Sequence, residues 1–173
     1  MCLKIKKKEV ISINIEEGKF YFIKNEFFDK FNNKEMCLNK KDGNKRPCYY
    51  CFKDIVNEEI YWLIPISSKV DKYKRIYEQK QKKYGKVDNI VFGYVEGEKR
   101  AFLIQNMFPT LKEYIIEKYI KQQREVVINK ELKKELNKKA NKILKLVEKG
   151  YKNLVFSDII KIRRLLIEEI KSN

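Results

Sequence analysis

The amino-acid sequence predicts an α+β fold built on an antiparallel sheet, and three observations carry that class. Short β-branched and aromatic runs come in pairs joined by turn residues, while lysine-rich segments of helical apolar spacing gather toward the C-terminus. No strand–helix–strand alternation of the kind that builds a parallel sheet is present. The 173 residues, 43% of them hydrophobic, are enough for one domain with a real core. With no linker, internal repeat or low-complexity tract, 1–173 reads as a single domain.

EVISIN (9–14) and FYFIK (20–24) flank Gly18 and read as two short strands joined by a turn. Asn25 is placed to cap a short helix that carries Phe27, Phe28 and Phe31 on one face. The polar, basic stretch 32–45 reads as a surface loop leading into the strand PCYYCFK. After a turn near Asn57, EIYWLIPI completes a hairpin. Asp71 is placed to cap a helix over 72–83, with Tyr73, Ile76 and Tyr77 on one side and Gly85 as its stop.

NIVFGYV and RAFLIQN form a further hairpin around EGEK. Pro109 ends that run, and Thr110 with Glu113 three residues on matches a capping box for a helix reaching about Gln122. Leu132, Leu136, Ala140, Ile143, Leu144 and Val147 recur at helical spacing over 130–149, with Gly150 as the stop. Ser157 then starts a last helix through Ile170.

Charge is the strongest functional signal. Forty Lys and Arg against 24 Asp and Glu give +16, spread along the chain rather than confined to a tail. Such a field recruits a phosphate backbone and makes binding sensitive to salt, so a nucleic acid is the expected partner ahead of a membrane. No apolar run is long enough to span a bilayer, and MCLKIKKKEV lacks the apolar segment of a secretion signal, which predicts a cytoplasmic protein.

The chain contains no histidine. That excludes a Ser-His-Asp triad, an H-E-x-x-H zinc site and a ribonuclease built on a histidine pair. Four cysteines, Cys2, Cys37, Cys48 and Cys51, include one C-x-x-C pair, but nothing completes a tetrahedral metal site. On a strand, residues three apart point to opposite faces, so these read as packed, reduced thiols and no metal or cofactor is expected.

Any chemistry must therefore run on lysine, arginine, tyrosine, serine or carboxylates. The stretch WLIPISSKVDKYKRI (62–76) leaves a hydrophobic strand and presents two serines among cations. Pro65 cannot donate to the ladder, so pairing should weaken there and leave Ser67 and Ser68 at the sheet rim beside Lys69 and Lys72. Hydroxyls and ammonium groups so placed suit a phosphate and, for RNA, a phosphorane. The opposing reading makes the serines turn residues and the lysines a solvated face.

Arg46, beside Lys40, Lys41 and Lys45, offers a guanidinium fork for phosphate or a surface charge. Tyr73 and Tyr77, interleaved with Lys74, Arg75 and Lys80, can stack bases. Tyr49, Tyr50, Tyr61 and Trp62 read as core, while Gln105 and Asn106 at a strand exit can reach base edges or be ordinary strand-end polars.

FYFIKNEFFDKF, KRPCYYCFKD, IYWLIPISSKVDKYKRIYEQK and FLIQNMFP, in this order and spacing, resemble the toxins of type III toxin–antitoxin systems, the ToxN, AbiQ and CptN group, and most of all the CptN branch. The resemblance covers residues 20 to about 125 specifically and the helical C-terminus loosely. It implies a MazF/Kid-like fold, a bent antiparallel sheet of SH3-like barrel type with added helices. It also implies an endoribonuclease that cuts single-stranded, often A-rich RNA without metal, leaving a 2′,3′-cyclic phosphate and a 5′-hydroxyl.

The implied partner is a small repeated RNA antitoxin, folded as a pseudoknot, which the toxin processes and which blocks its groove in closed toxin–RNA assemblies. Cellular or phage mRNA is the implied substrate, and growth arrest and phage defence the implied role. By position, the family's strand-end hydroxyl pair falls on Ser67 and Ser68 and its basic residue before the preceding strand on Arg46. The family's Ser-Pro-Lys is Ser-Lys-Val-Asp-Lys in this chain, so Lys69 or Lys72 holds the lysine role. The competing functional readings are a non-catalytic RNA- or DNA-binding module and a MazF-like toxin with a protein antitoxin.

Overall fold

The computed structural model describes residues 13–31 and 45–172. Cys2, Cys37, Lys40, Lys41, most of the expected strand at 9–14 and all but the last residue of the expected loop at 32–45 lie outside the described residues. In chain order the elements are β1 (Phe20–Ile23), α1 (Asn25–Lys30), β2 (Cys48–Lys53), β3 (Ile60–Ser67), α2 (Val70–Tyr84), β4 (Val91–Val95) and β5 (Glu98–Phe102). There follow β6 (Phe108–Leu111), β7 (Ile115–Lys118), β8 (Ile120–Lys121), β9 (Arg124–Glu125), α3 (Lys130–Glu148) and α4 (Ile159–Ser172).

The predicted class holds: an open antiparallel sheet of seven strands in the order β4-β5-β3-β2-β1-β7, with β6 also on β3, is joined by helices. Alternate residues of its central strands feed two separate cores. Phe20, Tyr49, Cys51, Trp62 and Ile64 pack with Leu132, Leu136, Ala140 and Ile143 of α3. Tyr21, Cys48, Tyr50 and Leu63 pack with Phe27, Phe28 and Phe31 around α1 and with Ile162 and Leu166 of α4. Cys48 and Cys51 thus serve opposite faces as buried free thiols, and the strand aromatics are core as expected, Tyr61 half-buried and the other three fully so. Burying an aliphatic side chain such as Leu63 or Ile64 is worth about 1.5–3 kcal/mol.

Burial within β3 sets where the site lies. Ladder pairing does not weaken at Pro65 as expected; instead the strand exchanges partners there. Ile60 to Leu63 pair with β6, whereas Ile66 and Ser67 pair with Phe102 and Ala101 of β5. Pro65 remains opposite Cys48, and its carbonyl accepts the Leu103 N–H at 2.9 Å. A residue with no N–H to donate sits at the changeover, and Ser67 is carried into the sheet rather than left on a loose rim.

The helix expected over 110–122 is not formed. Thr110 is fully buried opposite Tyr61, Pro109 stands opposite Trp62, and the segment continues as β6, a short 3-10 turn, β7 and β8. Pairing with β3 outweighs the local capping-box pattern, and the β-branched and aromatic residues of IIEKYIK suit strands. The strand expected over RAFLIQN likewise stops at Phe102, and Ile104–Asn106 forms a 3-10 turn.

Three helix caps also differ from expectation. Lys24 and Lys69 occupy the cap positions of α1 and α2 and supply no side-chain bond, so Asn25 and Asp71 lie inside their first turns. At α4, Ser157 is buried and the Asp158 carboxylate accepts the Lys161 N–H at 3.0 Å. Asn129, by contrast, caps α3 by accepting the Leu132 N–H at 2.8 Å. Gly85 ends α2 at φ 73°, a left-handed geometry that glycine adopts without strain.

Two contacts hold the halves of the molecule together. A Cβ at Gly93 of β4 would run into the Leu132 side chain, so the glycine lets Leu132 of α3 seat directly on this strand. Asp54, 3% exposed, accepts from Trp62 Nε1 at 2.8 Å and from Arg163 of α4 at 3.2 Å, while its other oxygen takes the N–H groups of Val56 and Asn57 in the β2–β3 turn. Arg163 also pairs with Glu148 at 2.7 Å, which ties α3 to α4. Among the described residues no helix is long and apolar enough to cross a membrane.

Candidate active-site cleft

Ser67 and Ser68 are adjacent in sequence but have different environments. Ser67 ends β3 with 8% exposure, and its Oγ accepts the Lys69 N–H at 3.2 Å. Ser68 is exposed; its carbonyl accepts the Val70 N–H at 2.9 Å, the first bond that bends the chain into α2. The positive end of the α2 dipole therefore lies beside the serines, with Asp71 the acidic residue of its first turn.

These residues form one wall of an open cleft of ≈ 580 Å³. Lys69, Lys72 and Tyr73 extend that wall along α2, and Lys72 Nζ lies 5.7 Å from the centre of the Tyr73 ring. Lys45, Arg46 and Pro47, leading into β2, form a second wall. The cleft thus brings together the five residues picked out for catalysis, Arg46, Ser67, Ser68, Lys69 and Lys72, along with Lys45 and Tyr73.

Two further walls go beyond the sequence reading. Val95, Glu96 and Arg100 come from the β4–β5 hairpin, and Tyr119 and Lys121 from the segment between β7 and β9. The Tyr119 N–H donates to the Phe20 carbonyl at 2.7 Å and its ring meets Phe22 edge-on at 5.4 Å, so this tyrosine is held rather than free. Arg100 forms an ion pair with Glu98, whose other oxygen lies 3.8 Å from Lys121. The lining holds six cations, Lys45, Arg46, Lys69, Lys72, Arg100 and Lys121, against one carboxylate, Glu96. Such a surface is matched to a polyanion.

Other residues picked for RNA lie elsewhere. Lys74 and Arg75 are exposed on α2, and Tyr77 packs edge-on against Phe92 at 5.8 Å. Gln105 and Asn106 are buried, at 2% and 6% exposure, so their placement does not suit base reading. Lys80 donates to Gln105 Oε1 at 2.7 Å and approaches Asn89 Oδ1 at 3.4 Å. Burial lowers its pKa from the ordinary lysine value, so the lysine perturbed in the direction that proton transfer needs is a fastening of α2 outside the cleft.

The lysine-rich network behind the β8–β9 hairpin steadies the fourth wall. Hydrogen bonds from Lys118 and Lys19 hold the Glu125 carboxyl at about 2, well below the usual range, and hydrogen bonds to Glu125 and Glu16 raise Lys118. The turn between the two strands places Gln122 and Gln123 at positive φ, 49° and 61°. That is a tight two-residue reversal.

Known structures share this arrangement of elements. A toxin of a bacterial type III toxin–antitoxin system, selectively inhibited by a non-coding RNA pseudoknot, matches 91% of this chain and 100% of its own at 19% identity with a TM-score of 0.65. AbiQ, a lactococcal anti-phage endoribonuclease belonging to the type III systems, matches 87% and 98% at 13% identity with a TM-score of 0.63. The chain has the type III toxin fold. No protein-family model matches the sequence, and no curated protein matches it. The likeness is one of fold, the two structures sharing about one residue in five or fewer with this chain.

Proposed function

We propose that the chain is the endoribonuclease toxin of a type III toxin–antitoxin system and that the six-cation cleft is its active site. The observation that carries the reading is convergence. Arg46, ahead of β2, and Ser67, Ser68, Lys69 and Lys72, at the β3–α2 junction, stand out in the sequence for phosphate chemistry and line one cleft in a chain with the type III toxin fold.

In the proposed reaction a single-stranded RNA lies across the cleft and a ribose 2′-hydroxyl attacks the adjacent phosphorus. The O2′–P bond forms, the P–O5′ bond breaks, and the products carry a 2′,3′-cyclic phosphate and a 5′-hydroxyl. Lys69 or Lys72 takes the 2′-hydroxyl proton on its amine nitrogen and delivers a proton to the leaving O5′, so that the lysine is regenerated. Ser68 donates to a non-bridging oxygen, and Arg46 clamps the developing charge as a guanidinium fork. Ser67 fixes the turn that aims Ser68 and Lys69, through its bond to the Lys69 N–H. Lys45, Tyr73, Arg100, Tyr119 and Lys121 hold the flanking RNA.

The proposed natural inhibitor is a small repeated RNA that the toxin itself cuts and that then occupies the same cleft in a closed assembly. The test is cleavage of an end-labelled, A-rich single-stranded RNA in excess EDTA, with identification of the product ends. Cyclic phosphate ends made by the wild type and not by Ser68→Ala support the proposal. Tight, salt-sensitive binding to several RNAs, its own upstream repeats included, without cleavage overturns it in favour of a binding module.

A further inference from the structure

The side of α2 turned away from the cleft carries a second hollow. Val70, Tyr77 and Phe92 form its apolar floor and Lys74, Glu78 and Lys99 its rim, enclosing ≈ 330 Å³. Val70 and Tyr77 of α2 and Phe92 of β4 are all only partly buried. Tyr77 and Phe92 meet edge-on with centroids 5.8 Å apart, and Lys99 Nζ lies 5.9 Å from the centre of the Phe92 ring. Neither Lys74 nor Lys99 has an ion-pair partner among the described residues.

The notch and the cleft are built from interleaved residues of the same two elements. Lys69, Lys72 and Tyr73 line the cleft while Val70, Lys74 and Tyr77 line the notch. On the hairpin, Arg100 serves the cleft while its neighbour Lys99 serves the notch. A polymer bound in the cleft therefore meets the notch on rounding the first turn of α2. An apolar floor of aromatic rings under a rim of two cations, Lys74 and Lys99, and one carboxylate, Glu78, suits one ligand class above others, a planar base on a phosphate backbone. An acidic peptide would satisfy the lysines but not the ring faces, and a purely apolar segment would leave both ammonium groups without a counter-charge.

We infer that the Val70–Tyr77–Phe92 notch is a stacking subsite for one unpaired base of single-stranded RNA flanking the scissile phosphate, with Lys74 and Lys99 on the adjoining phosphates. This rests on the proposed cleft as the cutting site and assigns what selects the RNA beside it. Stacking accepts any base, so the subsite favours large, well-stacking purines without reading their edges.

The probe is a short A-rich RNA with a 2′-deoxy sugar at the cleavage position, which removes the nucleophile, and 2-aminopurine placed at each flanking position in turn. The expected result is strong fluorescence quenching at one flanking position, relieved in Tyr77→Leu and Phe92→Leu, which keep the apolar packing and lose the rings. An abasic site at that position should weaken wild-type binding roughly 5- to 150-fold and weaken the variants' binding little, because stacking is worth about that much per base. Lys99→Gln, a rim change that leaves the helix packing alone, should weaken binding and flatten its salt dependence without moving the quenched position. If the probe binds and its all-ribose counterpart is cut, but no position's quenching or abasic penalty depends on Tyr77, Phe92 or Lys99, the notch is no subsite and the cleft reading stands. If the probe does not bind and its all-ribose counterpart is not cut, both fall together.

Discussion

The different settings of the two serines give the sharpest test of the proposed chemistry. Ser67 Oγ makes one bond within the protein, to the Lys69 N–H at 3.2 Å, and is nearly inaccessible to a substrate. Ser68 is exposed in the cleft. Replacing Ser67 with Ala removes a neutral hydrogen bond worth about 0.5–1.5 kcal/mol. For a chain of this length, about 1 kcal/mol moves the melting temperature by roughly 2–4 °C, so a fall of that order is expected. Cleavage should drop only as far as the α2 turn loosens, on the order of 10-fold.

Replacing Ser68 with Ala should leave the melting temperature unchanged and cut the single-turnover rate by about 100- to 1000-fold, the usual loss when one donor to a developing oxyanion is removed. The assay is single-turnover cleavage of a labelled A-rich RNA beside a thermal melt of each protein. The reasoning is refuted if the order is reversed, with Ser67→Ala dead at wild-type stability and Ser68→Ala active, because the buried hydroxyl would then be the one that meets the phosphate.

Further expectations follow from the same geometry. Asp54→Ala leaves Arg163 without its buried carboxylate and Trp62 Nε1 without an acceptor, a loss of about 3–5 kcal/mol that a lowered urea midpoint at unchanged m-value would report. Gly93→Ala drives a Cβ into Leu132 and should cost about 1–3 kcal/mol, partly restored by Leu132→Val; full stability in Gly93→Ala alone would show that α3 moves freely. Removing Lys69, Lys72 or Lys121 singly should lower the salt slope of single-stranded RNA binding by about 0.7 each, whereas Lys142, paired to Asp88 on another surface, should leave it unchanged. In the network behind the fourth wall, the Glu125 carboxyl is depressed from its ordinary 4.5 to about 2, so its contribution is present above pH 4.5 and is lost as pH falls through about 2. The Lys118 ammonium is raised, so its contribution is present below its ordinary 10.5 and is lost as pH rises past its folded pKa. The Glu125 side-chain carbon resonance should titrate near 2 in the wild type and shift upward in Lys118→Gln; an unchanged midpoint in the variant would mean that Lys19 alone holds the carboxylate.

Where burial and local pattern agree, the fold is legible in the sequence. The continuous apolar and aromatic runs CYYCFK and IYWLIPIS form β2 and β3, buried on both faces, and the apolar spacing from Leu132 to Leu144 forms the buried face of α3. Legibility fails where a local signal competes with a distant partner. Thr110 and Glu113 match a capping box, yet Thr110 is fully buried against Tyr61, a contact 49 positions away that no window around Thr110 contains. Ser157 and Asp158 are equally good caps by composition, and only the burial of Ser157 decides between them.

The site divides along the same line. Arg46, Ser67, Ser68, Lys69 and Lys72 can be picked out because they flank one hairpin, so that closing β2 on β3 brings both ends of that hairpin to the same place. Arg100 could be added, since it lies on a hairpin visible in the sequence and guanidinium is scarce in a chain with six arginines. Tyr119 and Lys121 could not, because the local pattern of their segment reads as helix, and a helix would turn them away from β1 rather than along it. Their presence depends on the Tyr119 N–H meeting the Phe20 carbonyl, a bond across 99 residues. The two groups should separate experimentally. Substitutions in the hairpin-borne residues should alter the chemical step, while loosening the β8–β9 hairpin through Lys118→Gln should weaken RNA binding and leave the rate of the bound complex nearly intact, because it displaces only the wall that holds flanking RNA.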